Sequence, residues 1–280
     1  MPLLLESLAA LERPSYAQVN EAIEDLHYDI EPTEPVAPLS GAIRVALDSA
    51  FSEETVEGII AALQVIATND TGLNVAQWAK NTVALLEERS PTSLKIALTA
   101  IRKGKSLDLL ESFKMELGIA TAFCVSVLVD SFLYNHLTPY FQYGASPDFH
   151  TGVTSVLLKK AASRPVWSPG SLDKVDTATL EASFFRPHAT LPQLVLPEAL
   201  RKSQPPLASF VRYGLPSEDE LEALVEGRHA SSGSGALTSQ ELITKAEDLR
   251  GGKCGVARKV QEVVARRCAV DKEGYLQWKH

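Results

Sequence analysis

Apolar positions recur at helical spacing through the first 124 residues of the chain. Between Tyr16 and His27, Val19, Ala22, Ile23 and Leu26 stand at i, i+3, i+4 and i+7, one face of a helix with Ser15 placed as its N-cap. A proline-punctuated stretch, Asp29 to Ser40, reads as a loop, and Ala42 to Phe51 resumes the helical pattern through Ile43, Ala46, Leu47 and Ala50. Ser52-Glu53-Glu54 is expected to open another helix, its acids complementing the macrodipole and Val56, Ile59, Ile60 and Leu63 forming the buried stripe. Val75, Trp78, Ala79, Thr82 and Leu86 continue the pattern until Pro91, after which Thr92 to Ile101 and Leu107 to Cys124 are expected to be helical.

The pattern changes after Trp167. Pro169, Pro187, Pro192, Pro197, Pro205 and Pro206 interrupt every apolar run, which predicts extended or loop-like chain. Ser231-Ser232-Gly233-Ser234-Gly235 reads as a flexible connector. Beyond it, Leu237-Thr238-Ser239 caps a charged helix from Gln240 to Arg250, and Val256 to Arg267 forms a last amphipathic helix. The expected organisation is therefore a helical part over 1–167, a loop-rich segment over 168–230, and a linker with terminal helices over 231–280. The fold class is mainly α.

A chain of 280 residues with 45% hydrophobic content can bury a sizeable core. The formal charge of −8 repels polyphosphate backbones unless basic residues cluster locally, so direct nucleic-acid binding is not expected. Cys124, Cys254 and Cys268 form no C-x-x-C pair and leave an odd number, which suits a reducing compartment. Met1-Pro2-Leu3-Leu4-Leu5 is broken by Glu6 too soon for a signal segment or a membrane span, so no targeting segment and no membrane partner are expected.

Self-contained catalytic motifs are not found. The chain has no G-x-S-x-G, H-E-x-x-H or G-x-x-x-x-G-K-[ST] pattern, and its six histidines show no metal-ligand spacing. Gly251-Gly252-Lys253 reads as a helix C-cap or turn. Ser90, Thr92 and Ser93 read as caps around Pro91, and Trp78 and Trp167 as packing residues.

Two runs point elsewhere. Ser90-Pro91-Thr92-Ser93-Leu94-Lys95 and Asp148-Phe149-His150-Thr151-Gly152-Val153 together resemble the carboxyl-terminal half of the 3-hydroxyisobutyryl-CoA hydrolases, within the enoyl-CoA hydratase/isomerase (crotonase) superfamily. Leu47 to Leu63, Met115-Glu116 and Asp148 to Trp167 fit in the same order, and Tyr213 to Glu218 and Gly274-Tyr275-Leu276 resemble longer eukaryotic members. The resemblance implies the helical carboxyl-terminal portion of a crotonase-like α/β fold with an extended, loop-rich tail. It implies a CoA-thioester hydrolase acting in valine breakdown in mitochondria, with coenzyme A as part of the acyl-CoA substrate and no separate cofactor or metal.

In such enzymes two backbone N–H groups stabilise the oxyanion while a Glu and an Asp supply nucleophilic and acid/base chemistry. These elements precede the region to which Met1 aligns, so no catalytic residue is assigned, and the isolated chain, which reads as truncated, is expected to be inactive. The resemblance offers Lys160, Lys159 and Arg164 as contacts for the phosphates of coenzyme A. Thr151 stands where the family usually has Glu. His150 reads as a helix-entry histidine.

Val125 to Gln142 interrupts the family pattern, which resumes at Tyr143. Val-Ser and Phe-Gln at its edges can be encoded by a splice donor and acceptor, so the 142 − 124 = 18 residues read as a non-family insertion, a retained intron kept in frame. A hydrolase-like paralogue also serves as a structural protein of the mitochondrial ribosomal small subunit, and that role is the alternative to hydrolysis. Docking would then run through the loop-rich stretch from Ser168 to Pro216. Self-association through apolar helix faces left open is a further expectation.

Overall fold

The computed structural model describes residues 2–26, 38–69, 72–124, 145–160, 163–186, 194–195, 198, 211–233 and 235–280. The insertion at 125–142 lies outside the described residues, as do His27 and most of the proline-rich loop before Ser40. The fold is mainly α, in two compact units, one of Met1–Val45 with Pro206–His280 and one of Ala46–Pro205.

The second unit begins within α3 (Gly41–Ala50) and continues through α4 (Val56–Thr68) and α5 (Leu73–Glu88). Ala50, Ile59, Leu63 and Ala79 are buried together, with Trp78 and Leu86 packed against them. The expected start of α4 at Ser52 shifts to Val56. Thr55 is the N-cap, its Oγ1 accepting from Gly58 N at 3.0 Å, so Glu53 and Glu54 precede the helix and Glu57 is the acid in its first turn.

α6 (Pro91–Gly104) starts as its residues dictate. Ser90 caps it, accepting from Ser93 N at 3.0 Å, and Pro91 occupies the first turn, where its missing N–H costs no helix bond. α7 (Leu109–Cys124) packs Ile119 and Ala122 against Ile96 and Ala100 of α6. Arg102 holds the end of α6 to the α3–α4 connection, donating to the carbonyls of Phe51 at 2.6 Å and Glu53 at 3.0 Å.

After Trp167, residues 168–186 are more helical than the expected loop, while Pro187, Pro192, Pro197, Pro205 and Pro206 lie outside the described residues. Asp176 caps α9 (Thr177–Leu180), which continues as a π-helical segment over Glu181–Phe185. Leu180 and Phe184, four residues apart, complete the α6–α7 core, with Phe184 and Phe123 ring centroids 4.8 Å apart. Burial of these two side chains outweighs the turn signals on either side.

In the other unit, α1 (Pro2–Ala9) and α2 (Tyr16–Glu24) lead, and Ser15 with Gln18 forms a capping box. After Ser217 come α10 (Glu218–Val225), α11 (Ser239–Leu249), α12 (Val256–Arg267) and the antiparallel strands β1 (Cys268–Val270) and β2 (Leu276–Trp278). Leu221, Leu242, Val260, Val263 and Leu276 form one fully or nearly fully buried core. Gly251 and Gly252 take positive φ angles in the turn between α11 and α12. The Ser231–Gly235 stretch is not a free connector throughout. Ser232 is buried, its N–H bonded to His229 O and its Oγ donating to Ala223 O.

Candidate functional site

The two motifs of the resemblance meet in space. Asp148 opens α8 (Asp148–Gly152), which runs on into a π-helical turn over Val153–Leu158. Its carboxylate is buried, with 2% exposure, and accepts from Ser90 Oγ at 2.5 Å and from Ser168 N at 2.9 Å. Asp148 N in turn donates to Ser146 Oγ. Ser90 thus has two tasks, capping α6 and donating to a carboxylate 58 positions away. No lysine or arginine pairs with Asp148 among the described residues, so neutral donors alone satisfy the charge.

Beside this pair lies an open groove of about 700 Å³. Ser93, Leu94 and Ala97 of α6 form one wall, and Phe149, Val153, Val156 and Leu157 the other. Trp167 and Arg164 close one side. Trp167 Nε1 donates to Glu88 O at 2.9 Å, and Arg164 Nε donates to Glu87 O at 2.7 Å, so both are tied to the end of α5. Gly152 faces the Trp167 ring, where a Cβ would stand 3.4 Å from it.

Of the three cations offered as phosphate contacts, Arg164 lines the groove. Lys159 caps the π-helical turn and Lys160 follows it with φ 47°, both exposed and neither on the groove wall. His150 is exposed on α8 and also stands off the wall. Trp167 holds the groove's edge by a hydrogen bond, a role beyond packing. The Ser90–Asp148 bond could not be read from either residue alone. The signal was that both stand in the two best-matched runs.

A second charged cluster sits in the unit that holds the chain's last residues. Arg266, almost fully buried, forks onto Glu218 of α10 and onto Glu262, and Arg267 reaches Glu218 at 3.1 Å. The Arg266 guanidinium, bonded to Glu218 and helped by Arg267, holds that carboxyl at about 2 despite partial burial. Arg250 pairs with Glu220 and donates to Gly214 O at 3.0 Å, and Lys253 pairs with Glu24. Burial pushes the Cys268 thiol above its ordinary value, which suits a core residue and not a nucleophile.

The helical arrangement and the paired motifs agree with what the chain resembles. The model of the enoyl-CoA hydratase/isomerase family matches residues 1–184, and the chain belongs to that family. Small ribosomal subunit protein mS47 of Neurospora crassa is 31% identical over 290 aligned positions that take in 100% of this chain and 51% of that protein. Human mitochondrial 3-hydroxyisobutyryl-CoA hydrolase is 28% identical across 66% of this chain and 40% of the enzyme. The mitochondrial 3-hydroxyisobutyryl-CoA hydrolase-like protein 1 of Arabidopsis thaliana is 33% identical across 56% of the chain and 34% of its own length. The chain thus spans about half the length, or less, of these relatives.

Proposed function

We propose that this chain serves as a structural protein of the mitochondrial ribosomal small subunit, built on a hydrolase-family scaffold, and not as a thioesterase. One observation carries the reading. The similarity to the ribosomal protein runs the full chain, whereas the family model ends at residue 184 and so leaves out α10 to β2. Helices and a hairpin that accompany the ribosomal relative and lie beyond the family match are what a scaffold turned to assembly would add. A mitochondrial location follows from the same likeness.

The groove beside Ser90 and Asp148 is consistent with this role. Its polar pair is consumed in holding α6 to α8. Hydrolysis of 3-hydroxyisobutyryl-CoA is the activity named for the hydrolase relatives. Sucrose-gradient sedimentation of mitochondrial lysate containing the tagged chain tests it. Co-migration with the small subunit supports the role, and a position at the top of the gradient under all salt conditions contradicts it.

A further inference from the structure

The last 31 residues reverse the charge of the chain. From Arg250 to His280 there are eight lysines and arginines (250, 253, 258, 259, 266, 267, 272, 279) and three acids (262, 271, 273), a balance of 8 − 3 = +5. The whole chain is −8, so the first 249 residues sum to −8 − 5 = −13. These cations fall into two sets. Arg250, Lys253, Arg266 and Arg267 are engaged by Glu220, Glu24, Glu218 and Glu262. Arg258, Lys272 and Lys279 are exposed and, like the half-buried Lys259, have no salt bridge within 4 Å among the described residues, although the charge of Lys259 acts on Glu262.

The second set stands on two elements, α12 and the hairpin with its flanks. α11 and α12 pack as a helix–turn–helix pair around Leu242, Val256 and Val260. β1 follows α12 at once, and β2 returns beside it with Cys268 opposite Trp278. The segment before α11 joins this small sheet, Leu276 N donating to Leu237 O at 2.8 Å and Thr238 bridging Tyr275. The order is helix, isolated β-bridge, helix, turn, helix, hairpin. In DNA-binding helix–turn–helix modules the second helix enters the major groove, but the major groove of A-form RNA is too narrow for that, so contact with RNA would run along its backbone. Topology alone would not decide the matter, but here the unpaired cations lie on that helix and the hairpin, while the inward cations are neutralised.

We propose that this module is a nucleic-acid docking element, in which α12 and the hairpin bring Arg258, Lys259, Lys272 and Lys279 to the phosphate backbone of a double-stranded RNA. The choice of RNA rests on the ribosomal reading; binding to a phosphate backbone does not. Contacts of this kind position a protein without reading sequence, so affinity falls with salt and not with base changes.

The test is fluorescence anisotropy of the full chain with an RNA duplex of about 20 base pairs, between about 50 and 200 mM salt. The set Arg258→Glu, Lys259→Glu, Lys272→Glu is compared with a control of equal charge, Lys80→Glu, Lys105→Glu, Lys114→Glu. The expected result is saturable binding that the first set weakens by at least about tenfold, lowering the salt slope by about 1 per contact removed, while the control set changes neither. If the glutamate set melts early, the corresponding glutamine set replaces it. No saturable binding at low salt, or equal losses in both sets, overturns the proposal. Gradients separate it from the ribosomal reading. If the altered chain still sediments with the small subunit as the unaltered one does, docking is through protein and the proposal fails while the ribosomal role stands. Duplex binding by a chain that never sediments with the subunit leaves the proposal standing and removes the ribosomal role.

Discussion

Asp148 is a buried carboxylate held by two neutral donors, Ser90 Oγ and Ser168 N. Replacing it by alanine strands both donors, and an unsatisfied buried polar group costs about 1–3 kcal/mol, so Asp148→Ala is expected to destabilise by at least about 2 kcal/mol. Asp148→Asn, which retains an acceptor oxygen, should cost less. Urea unfolding followed by circular dichroism checks the order, and an alanine variant as stable as the parent would show that the bond does not hold α6 to α8. At this scale the sequence was half legible. Ser90 could be read as a cap because caps obey local rules, but its bond to Asp148 spans 58 positions and depends on packing that no local pattern encodes.

At the scale of elements, α10 and α12 are joined by Glu218, whose carboxyl is held at about 2 chiefly by its hydrogen bond to Arg266. A folded value below the unfolded one means that the stabilisation is full above the ordinary carboxylate range and is lost as pH falls from there toward 2. A shift of this size would be worth at most about 3 kcal/mol at neutral pH, and solvent screening of the partly exposed carboxyl reduces that to about 1–2 kcal/mol. The expected outcome is a melting temperature that drops between about pH 5 and pH 2, with a smaller drop in Glu218→Gln. Equal pH dependence in both proteins would remove Glu218 as the cause. Thr238, which forms a capping box with Glu241, offers a parallel test. Thr238→Ala should cost about 1 kcal/mol in the same melts. The capped helices α2, α6 and α11, and α12 by its amphipathic face, were legible in the sequence. α9 and its continuation were not, because Thr177–Phe185 is short and flanked by turn residues, and only the core formed by Ile96, Ile119 and Phe123 calls for Leu180 and Phe184.

At the scale of the whole molecule, the family was legible from two short runs, and the structure adds that those runs touch. The balance between hydrolase and ribosomal protein was not legible, since both share the scaffold; the extent of similarity beyond residue 184 tips it. The charge of α12 and the hairpin was hidden in the same way. An overall −8 averages an acidic majority with a basic end, and only the fold shows which cations are spent inside. With a structural role, the purified chain is expected to release no thiol from 3-hydroxyisobutyryl-CoA above background. Turnover at a rate typical of enzymes would contradict the structural role.

Quantitative mass spectrometry of purified mitochondrial small subunits tests that role most directly. About one copy of this chain's peptides per subunit, retained through a high-salt wash, is the expected result. Peptides absent from the washed subunits, with the protein recovered instead in the soluble matrix fraction, would contradict it.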